Sequence, residues 1–378
     1  MTVFYLLTFL VCGAYAALML SYLIGWNKTI DSGIRIPDSG IQNLTIVSII
    51  VPARNEEENI LKILDCLYKQ TYPIDKFEII VVDDHSSDRT AEFVYSLDIP
   101  NLKLVQLSES QAGKKQAITE GIKTATGNLI ITTDADCEMG EDWLLSIVSF
   151  YEEKKPKMII APVLLKGEKT IQEIFQSQEM TVLTASACAA LHYNLPILCS
   201  GANLAYEKEA FHSVNGFEGS EQIATGDDVF LMLKTHKKFP NEIKYLKSKD
   251  AIIFTCPAKT YSNALSQRKR WVSKSFSYGF SYITCIAVLV FFTNFLILLS
   301  GILSIINIKF VLALVTSFSA KYLVDFMLLN SASTFFKKRI HSFIFILASI
   351  AYPVYVSVIG LITPFANYSW KGREQVNR

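Results

Sequence analysis

The chain has 378 residues, 51% of them hydrophobic, with 36 Lys and Arg against 35 Asp and Glu, a net charge of +1. Soluble domains average about 45–50% apolar residues, so composition alone does not separate a soluble protein from a membrane one. The balanced charge, with no basic stripe carrying interleaved aromatics, argues against nucleic-acid binding. Seven cysteines without a CxxC pair argue against a disulfide framework or a cysteine zinc site and suit a reducing compartment.

The distribution of charge is more informative than its sum. Charged residues are dense over residues 27–270 and nearly absent from 283–307 and 342–368. A membrane span needs about 20 mostly apolar residues, and residues 3–25, 283–306, 308–329 and 343–365 qualify. Ala14-Tyr15-Ala16 resembles a signal-peptide cleavage site, but no positive stretch precedes the first apolar run, which therefore reads as a span. Lys28 and Arg35 follow it, placing the N-terminus outside and the next segment inside. Three further spans put Lys337-Lys338-Arg339 inside and the C-terminus outside.

Between the spans, strand and helix alternate. Residues 45–51 form a β-branched apolar run, and 56–70 place Ile60, Ile63, Leu64 and Leu67 at helical spacing. Residues 77–82 predict a buried strand ending at Asp83-Asp84, 87–96 a helix, 102–107 a strand, and 114–125 a helix closed by Gly127. Residues 128–133 predict a fourth strand ending at Asp134. Such alternation predicts an α/β fold with a parallel, doubly wound sheet, whose ligands sit beyond the carboxyl ends of the strands. Further on, 170–191 predict a long helix, 197–206 a strand, 227–237 a short helix and 251–256 a strand. Residues 261–282 predict an amphipathic helix leading into the membrane.

Several clusters have the chemistry of a site. Asp134-Ala135-Asp136 follows a buried strand, and carboxylates at i and i+2 of an extended chain point the same way. Mg²⁺ takes one or two carboxylates plus substrate phosphates, so the pair reads either as a metal-bridged diphosphate site or as a solvated turn. Asp83-Asp84 suits the imide N–H and hydroxyls of a nucleotide, while Ser86, Ser87 or Asp88 caps the helix beginning near Arg89. No GxGxxG or Walker A pattern is present, so phosphate charge must be met by a metal and by cations such as Lys114 and Lys115. Taken alone, a lysine pair opening a helix is solvated surface. Asp227 of Gly226-Asp227-Asp228 fits a helix cap, and Asp228 is the candidate general base for an acceptor hydroxyl. Gln267-Arg268-Lys269-Arg270-Trp271 reads as an interfacial helix, or as one whose Arg270 clamps a diphosphate. Lys321 and Asp325, four apart inside the third span, form either a self-satisfied pair or part of an acceptor path.

Together, Val51-Pro52-Ala53-Arg54-Asn55-Glu56, Val82-Asp83-Asp84, Asp134-Ala135-Asp136, Gly226-Asp227-Asp228 and Gln267-x-x-Arg270-Trp271 resemble glycosyltransferase family 2. The similarity is to the membrane synthase branch holding hyaluronan, chitin, cellulose and poly-N-acetylglucosamine synthases and ceramide glucosyltransferases, across about residues 45–282. The resemblance implies a GT-A fold with a mostly parallel sheet, flanked by one N-terminal and about three C-terminal transmembrane helices. It divides the chain into an N-terminal span (1–26), a cytosolic catalytic domain (27–258), an interfacial helix (259–282) and C-terminal spans (283–370).

It further implies a UDP-sugar donor, Mg²⁺ or Mn²⁺, and inversion at the anomeric carbon. Asp84, with Asp83, would hold the uridine together with Pro52 and Glu56, and Lys114 would approach the diphosphate. Asp136 would bind the metal, Asp134 the donor sugar or ribose, and Asp228 would be the base. Gln267, Arg270 and Trp271 would hold the pyrophosphate and floor the acceptor site. Asp227 and the loop Ser200-Gly201-Ala202-Asn203 would lie on the acceptor side. The implied location is a bacterial inner membrane or its equivalent, the acceptor a lipid or a growing polysaccharide, and a homo-oligomer is compatible. Four spans are fewer than the processive polymerases use and lean toward a lipid or a short product. The alternative is a catalytically inactive scaffold or partner subunit that keeps the fold; the presence of every carboxylate the chemistry needs argues against it.

Overall fold

A computed structural model describes residues 1–33, 44–219, 226–277, 281–363, 368–370 and 373–375, with backbone alone for 273–277 and for the two last segments. Arg35 lies outside the described residues. In chain order the main elements are α1 (Thr2–Lys28), β1 (Val47–Ala53), α2 (Ile60–Tyr68), β2 (Phe77–Asp83), α3 (Thr90–Tyr95), β3 (Leu102–Gln106) and α4 (Lys114–Thr124). Then come β4 (Leu129–Thr132), β5 (Glu138–Met139), α5 (Trp143–Lys154), β6 (Met158–Ile160), β7 (Val163–Leu165), α6 (Ile171–His192), β8 (Leu204–Glu207) and α7 (Lys208–Ser213). The last are α8 (Asp227–Lys238), β9 (Ile243–Tyr245), β10 (Ile253–Thr255), α9 (Tyr261–Ser277), α10 (Tyr282–Ile306), α11 (Val311–Phe336) and α12 (Ser342–Ile362).

The chain divides into two compact units. One joins residues 29–166 to 190–256, and the other joins 1–28, 167–189 and 257–378.

The first unit holds a seven-stranded sheet of order β3-β2-β1-β4-β8-β6-β9. Strands β1 to β4 are parallel, with Val47 opposite Phe77 and Leu129. Every residue of β2 is buried, as continuous apolar strands covered on both faces must be. The mostly parallel sheet expected from the alternation of elements is present, and β6 and β9 are parallel as well. Strand β8 runs antiparallel to both β4 and β6, giving the GT-A-like, mostly parallel sheet. Expected strand 197–206 shrinks to Leu204–Glu207, because residues before it turn to form a loop. The expected helix 56–70 starts only at Ile60: Asn59 and Ile60 donate to the Glu56 carbonyl in a turn that carries the acidic residues. Short strands β5, β6, β7 and β9 escape a reading based on period, since two or three residues show none.

At the far end of β2, opposite the site, Glu78 is buried. Its carboxylate accepts from Ser48 Oγ (2.6 Å) and from the Thr126 amide (2.6 Å) and pairs with Lys103. Burial opposes ionisation, but the Lys103, Ser48 and Thr126 bonds outweigh it and lower the acid to about 2.

Among the described residues, the second unit contains four helices long and apolar enough to cross a membrane: Thr2–Lys28, Tyr282–Ile306, Ile308–Phe336 and Ser342–Ile362. They leave large apolar side chains such as Leu10, Phe292, Ile305 and Phe343 exposed. The third runs to Phe336, seven residues past the expected end, before Lys337 turns left-handed (φ 54°). Inside it, Lys321 pairs with Asp325, and Tyr15 of α1 donates to the same carboxylate at 2.6 Å. The Lys321 ammonium also lies 4.9 Å from the Tyr352 ring centroid. The Tyr352 hydroxyl donates to Glu179 of α6 (3.2 Å), which pairs with buried Arg268. The intrahelical pair is therefore formed and tied to α1 and α12.

Two stability tests follow. A carboxyl depressed in the fold stabilises above its unfolded value, near 4.5, and that contribution is lost as pH falls toward about 2. Glu78→Gln is expected to melt at least about 3 °C lower than the parent at pH 7, with the gap closing between pH 4.5 and 2. Lys321→Met is expected to melt lower than Lys321→Met/Asp325→Asn, because the single change strands the half-buried Asp325 carboxylate. Thermal unfolding of detergent-purified protein reads both; equal midpoints for the last two would refute the buried-pair account.

Candidate active site

Parallel strands all end at the same edge, so β1, β2 and β4 deliver their following loops to one place. Asp83 and Asp84, both 4% exposed, close β2 there. The Asp84 carboxylate accepts from the Gly113 amide at 3.0 Å and faces the Arg54 guanidinium at 3.8 Å. Gly113 has φ +95°, a left-handed backbone that glycine adopts freely, which lets α4 begin beside Asp84. Loops after β1 and β2 are stitched together: the Asn55 amide donates to Ser86 Oγ (3.0 Å) and the Ser87 amide to Asn55 Oδ1 (2.8 Å). Glu56 is half-buried, held by Asn59, and its amide donates to Thr90 Oγ1 at 2.8 Å. Asp88 supplies the capping expected at α3, accepting from the Thr90 amide at 3.0 Å. Arg54 went unassigned in the sequence; its place inside Val51-Pro52-Ala53-Arg54-Asn55-Glu56 was the available signal.

Asp134 and Asp136 stand just beyond β4, on a turn closed by the Cys137 amide to the Asp134 carbonyl (3.1 Å), rather than on the extended strand expected. The turn gives the two carboxylates different surroundings. Asp134 is half-buried and ion-paired with Lys114, whereas Asp136 is exposed and accepts from Thr255 Oγ1 at 3.4 Å. The Cys137 thiol, raised well up by burial and by Asp134 and Asp136, stays protonated and is no thiolate ligand.

The third group comes from the loop before β8 and from the start of α8. The Gly201 amide donates to Asp228 Oδ2 at 3.1 Å. A methyl built on Gly201 would lie 3.4 Å from Lys114 Nζ and 3.6 Å from Asp227 Oδ2, so ammonium, both aspartates and this glycine enclose one small volume. Burial opposes the charge on Lys114, but Asp134, then Asp227 and Asp228, hold the ammonium well above the usual lysine range. It is therefore a permanent cation at this edge, not a proton donor. Asn203 is fully buried, donating to the Pro162 and Ala251 carbonyls (both 2.8 Å) and accepting from Trp143 Nε1 (3.0 Å). All its polar capacity in that direction is spent on the scaffold, so it positions the loop instead of facing an acceptor.

Asp83, Asp84, Lys114, Asp134, Asp136, Gly201, Asp227 and Asp228 thus belong to one unit and one sheet edge. Gln267, Arg270 and Trp271 lie on α9 in the other unit. There Arg268, unassigned in the sequence reading, is the buried member, paired with Glu179 and lying 4.2 Å over the Trp271 ring. Among the described residues no group of three His, Cys, Asp or Glu gathers to hold a metal. Two carboxylates, one exposed, nevertheless fit Mg²⁺ or Mn²⁺ chemistry, in which substrate phosphates complete the shell.

Residues 48–214 match the family model described as glycosyl transferase family 2. Over that stretch, less than half of the chain, the protein is similar to glycosyltransferase family 2. Over 103 residues it is 38% identical to glycosyltransferase AglE of Haloferax volcanii, 27% of this chain and 34% of that protein. Over 116 residues it is 33% identical to the beta-monoglucosyldiacylglycerol synthase of Trichormus variabilis, 30% and 25% of the two chains. The match therefore spans about a third or less of these relatives' length. The mannosyltransferase PcManGT of Pyrobaculum calidifontis, solved in complex with GDP-Man and Mn²⁺, aligns over 95% of this chain and 99% of that one. Its TM-score is 0.59 at 20% identity, a likeness of fold.

Gly201→Ala is expected to melt like the parent, since its methyl meets only ordinary contact distances, yet to lose at least tenfold in transferase turnover by covering Lys114 and Asp227. Asn203→Ala is expected to lose both stability and turnover, with three buried partners left unpaired. Parallel melting and turnover assays separate the two.

Proposed function

We propose that the chain is a membrane-embedded, inverting, metal-dependent glycosyltransferase that moves a sugar from a nucleotide-sugar to a lipid or growing polysaccharide acceptor. The observation that carries the proposal is the enclosure of Lys114, Asp134, Asp227 and Asp228 around Gly201 at the carboxyl edge of the parallel strands. A cation for a diphosphate and a carboxylate for a hydroxyl proton lie side by side, as a single displacement requires.

In this reading Pro52, Glu56, Asp83 and Asp84 hold the nucleoside, and the pairing of Asp84 with Gly113 ties that end to the start of α4. Lys114 then meets the diphosphate and stabilises its growing negative charge in the transition state. Asp136, the exposed carboxylate, would hold Mg²⁺ or Mn²⁺, and Asp134 the donor sugar or ribose. When bound, the ion supplies further neutralisation of the leaving diphosphate. Asp228 takes the proton of the acceptor hydroxyl as it attacks the anomeric carbon from the far face. Its Oδ2 accepts from the Gly201 amide, which orients the carboxylate. Asp227, Gly201 and Trp271 belong to the acceptor side, and Gln267 and Arg270 to the pyrophosphate.

A UDP-linked donor is the specific reading, drawn from the motif set. The four long apolar helices support a membrane location, with residues 29–256 on the cytosolic side by the charge asymmetry around Lys28 and Lys337-Lys338-Arg339. A lipid acceptor is favoured over a long polymer because four spans offer little from which to build a translocation channel.

The test is nucleoside diphosphate release from a panel of UDP- and GDP-sugars by detergent-purified protein, with Mn²⁺ or Mg²⁺ and with EDTA. Release with a UDP-sugar is expected, falling to background in EDTA and by at least 10³-fold in Asp228→Asn. Release with GDP-sugars alone would overturn the donor assignment, and full activity of Asp228→Asn would overturn the base.

A further inference from the structure

Helix α9 carries a buried arginine that is not among the residues of Gln267-x-x-Arg270-Trp271. Arg268, 7% exposed, pairs with Glu179 of α6, and its guanidinium lies 4.2 Å over the ring of Trp271, one turn further along α9. The two oxygens of Glu179 are divided: one takes Arg268, and the other accepts from the Tyr352 hydroxyl of α12 at 3.2 Å. The Tyr352 ring is itself held among aromatics, its centroid 6.2 Å from that of Phe175 and 5.7 Å from that of Tyr355. Three helices thus meet at one guanidinium, and the indole beside it belongs to a motif residue. A buried ion pair adds little net stability, since apolar side chains of similar volume hold helices together about as well. What the pair supplies that apolar side chains would not is an orientation. A guanidinium is a rigid plane: bonding to a carboxylate sets that plane, and stacking sets the plane of an indole against it.

We infer that Arg268 is a positioning residue: held by Glu179, which Tyr352 holds in turn, it fixes the plane of the Trp271 indole against which the acceptor packs. The inference rests on the proposed function, since it takes Trp271 as an acceptor-side residue. Arg268 itself touches no reacting atom. An acceptor that packs on an aromatic face is bound through the orientation of that face, so freeing the indole weakens acceptor binding more than donor binding.

The experiment compares the full-length parent in detergent with Arg268→Met/Glu179→Met/Tyr352→Phe, Arg268→Lys and Trp271→Ala. Three readouts are taken: melting, steady-state transfer from the active nucleotide-sugar to a total lipid extract of the host membrane, and hydroxyl-radical footprinting of Trp271. The triple variant removes both charges and the hydroxyl bonded to them, so it strands no partner of the pair and is expected to melt within about 3 °C of the parent. Its KM for the extract is expected to rise about tenfold while its donor KM moves less than about threefold. Its Trp271 is expected to be oxidised about threefold faster once the guanidinium no longer covers it. Arg268→Lys keeps the charge and loses the plane, and is expected to melt like the parent with an acceptor KM about threefold higher. Trp271→Ala sets the scale, with an acceptor KM at least as high as that of the triple variant. An unchanged acceptor KM and oxidation rate in the triple variant, with Trp271→Ala impaired, overturns the inference alone. Equal losses for donor and acceptor together with a lower melting point would make Arg268 scaffold only and overturn it as well. Trp271→Ala matching the parent overturns the acceptor-side reading of Trp271 and the inference with it. Failure of any sugar to reach the extract overturns the lipid-acceptor reading, and the oxidation rates then decide the inference.

Discussion

Parallel strands impose a direction, and here the direction concentrates negative charge. Strands β1, β2 and β4 end at one edge, so Asp83, Asp84, Asp134 and Asp136 are delivered to the same side of the sheet. Asp227 and Asp228 join Asp134 around Lys114 from the start of α8. Such a gathering of carboxylates is stable only with cations in it. Arg54 serves Asp84, and Lys114 serves Asp134, Asp227 and Asp228. Charge balance in the resting protein therefore draws on the same side chains that the proposed reaction would use. Conformational freedom at two glycines makes this workable: Gly113 lets α4 start against Asp84, and Gly201 leaves room for the ammonium.

Around that edge the scaffold is over-determined. Buried Asn203 bonds simultaneously to Trp143, Pro162 and Ala251, which fixes the loop presenting the Gly201 amide to Asp228. Glu78 does comparable work at the opposite end of the sheet, tying β1, β3 and the loop before β4 together through Ser48, Lys103 and Thr126. Both are buried polar residues whose bonds are satisfied, the condition under which polar groups specify one arrangement instead of weakening it. In the helical unit, the Tyr15–Asp325–Lys321 contact follows the same rule among apolar helices.

Reading the sequence recovered the parallel half of the sheet because its strands are long and continuously apolar, and β2 and β4 appear within a residue or two of expectation. It recovered the long apolar helices for the same reason, since length and composition suffice there. The edge strands β5, β6, β7 and β9 were illegible: two or three residues carry no period, and their existence depends on partners distant in the chain. Asn203 illustrates the converse error. An amide beside Gly201 looks like a ligand-facing group, and only burial among three partners reveals it as scaffold.

By itself, the sequence determined which chemical groups are available and roughly where they fall along strands and helices, because hydrophobic period and turn chemistry are local properties. It carried the resemblance to glycosyltransferase family 2, through motifs whose order along the chain survives without any knowledge of distance. Tertiary structure alone decided which charges meet. Lys114 and Asp134 are twenty residues apart, and Gly201 and Asp228 twenty-seven, yet each pair is in contact. It likewise decided that Asp134 is half-buried against Lys114 while Asp136 is exposed, and that Arg268 rather than Arg270 is the buried arginine of its helix. Pairing and burial are set by which surfaces pack, and packing is a property of the whole chain that no local window contains.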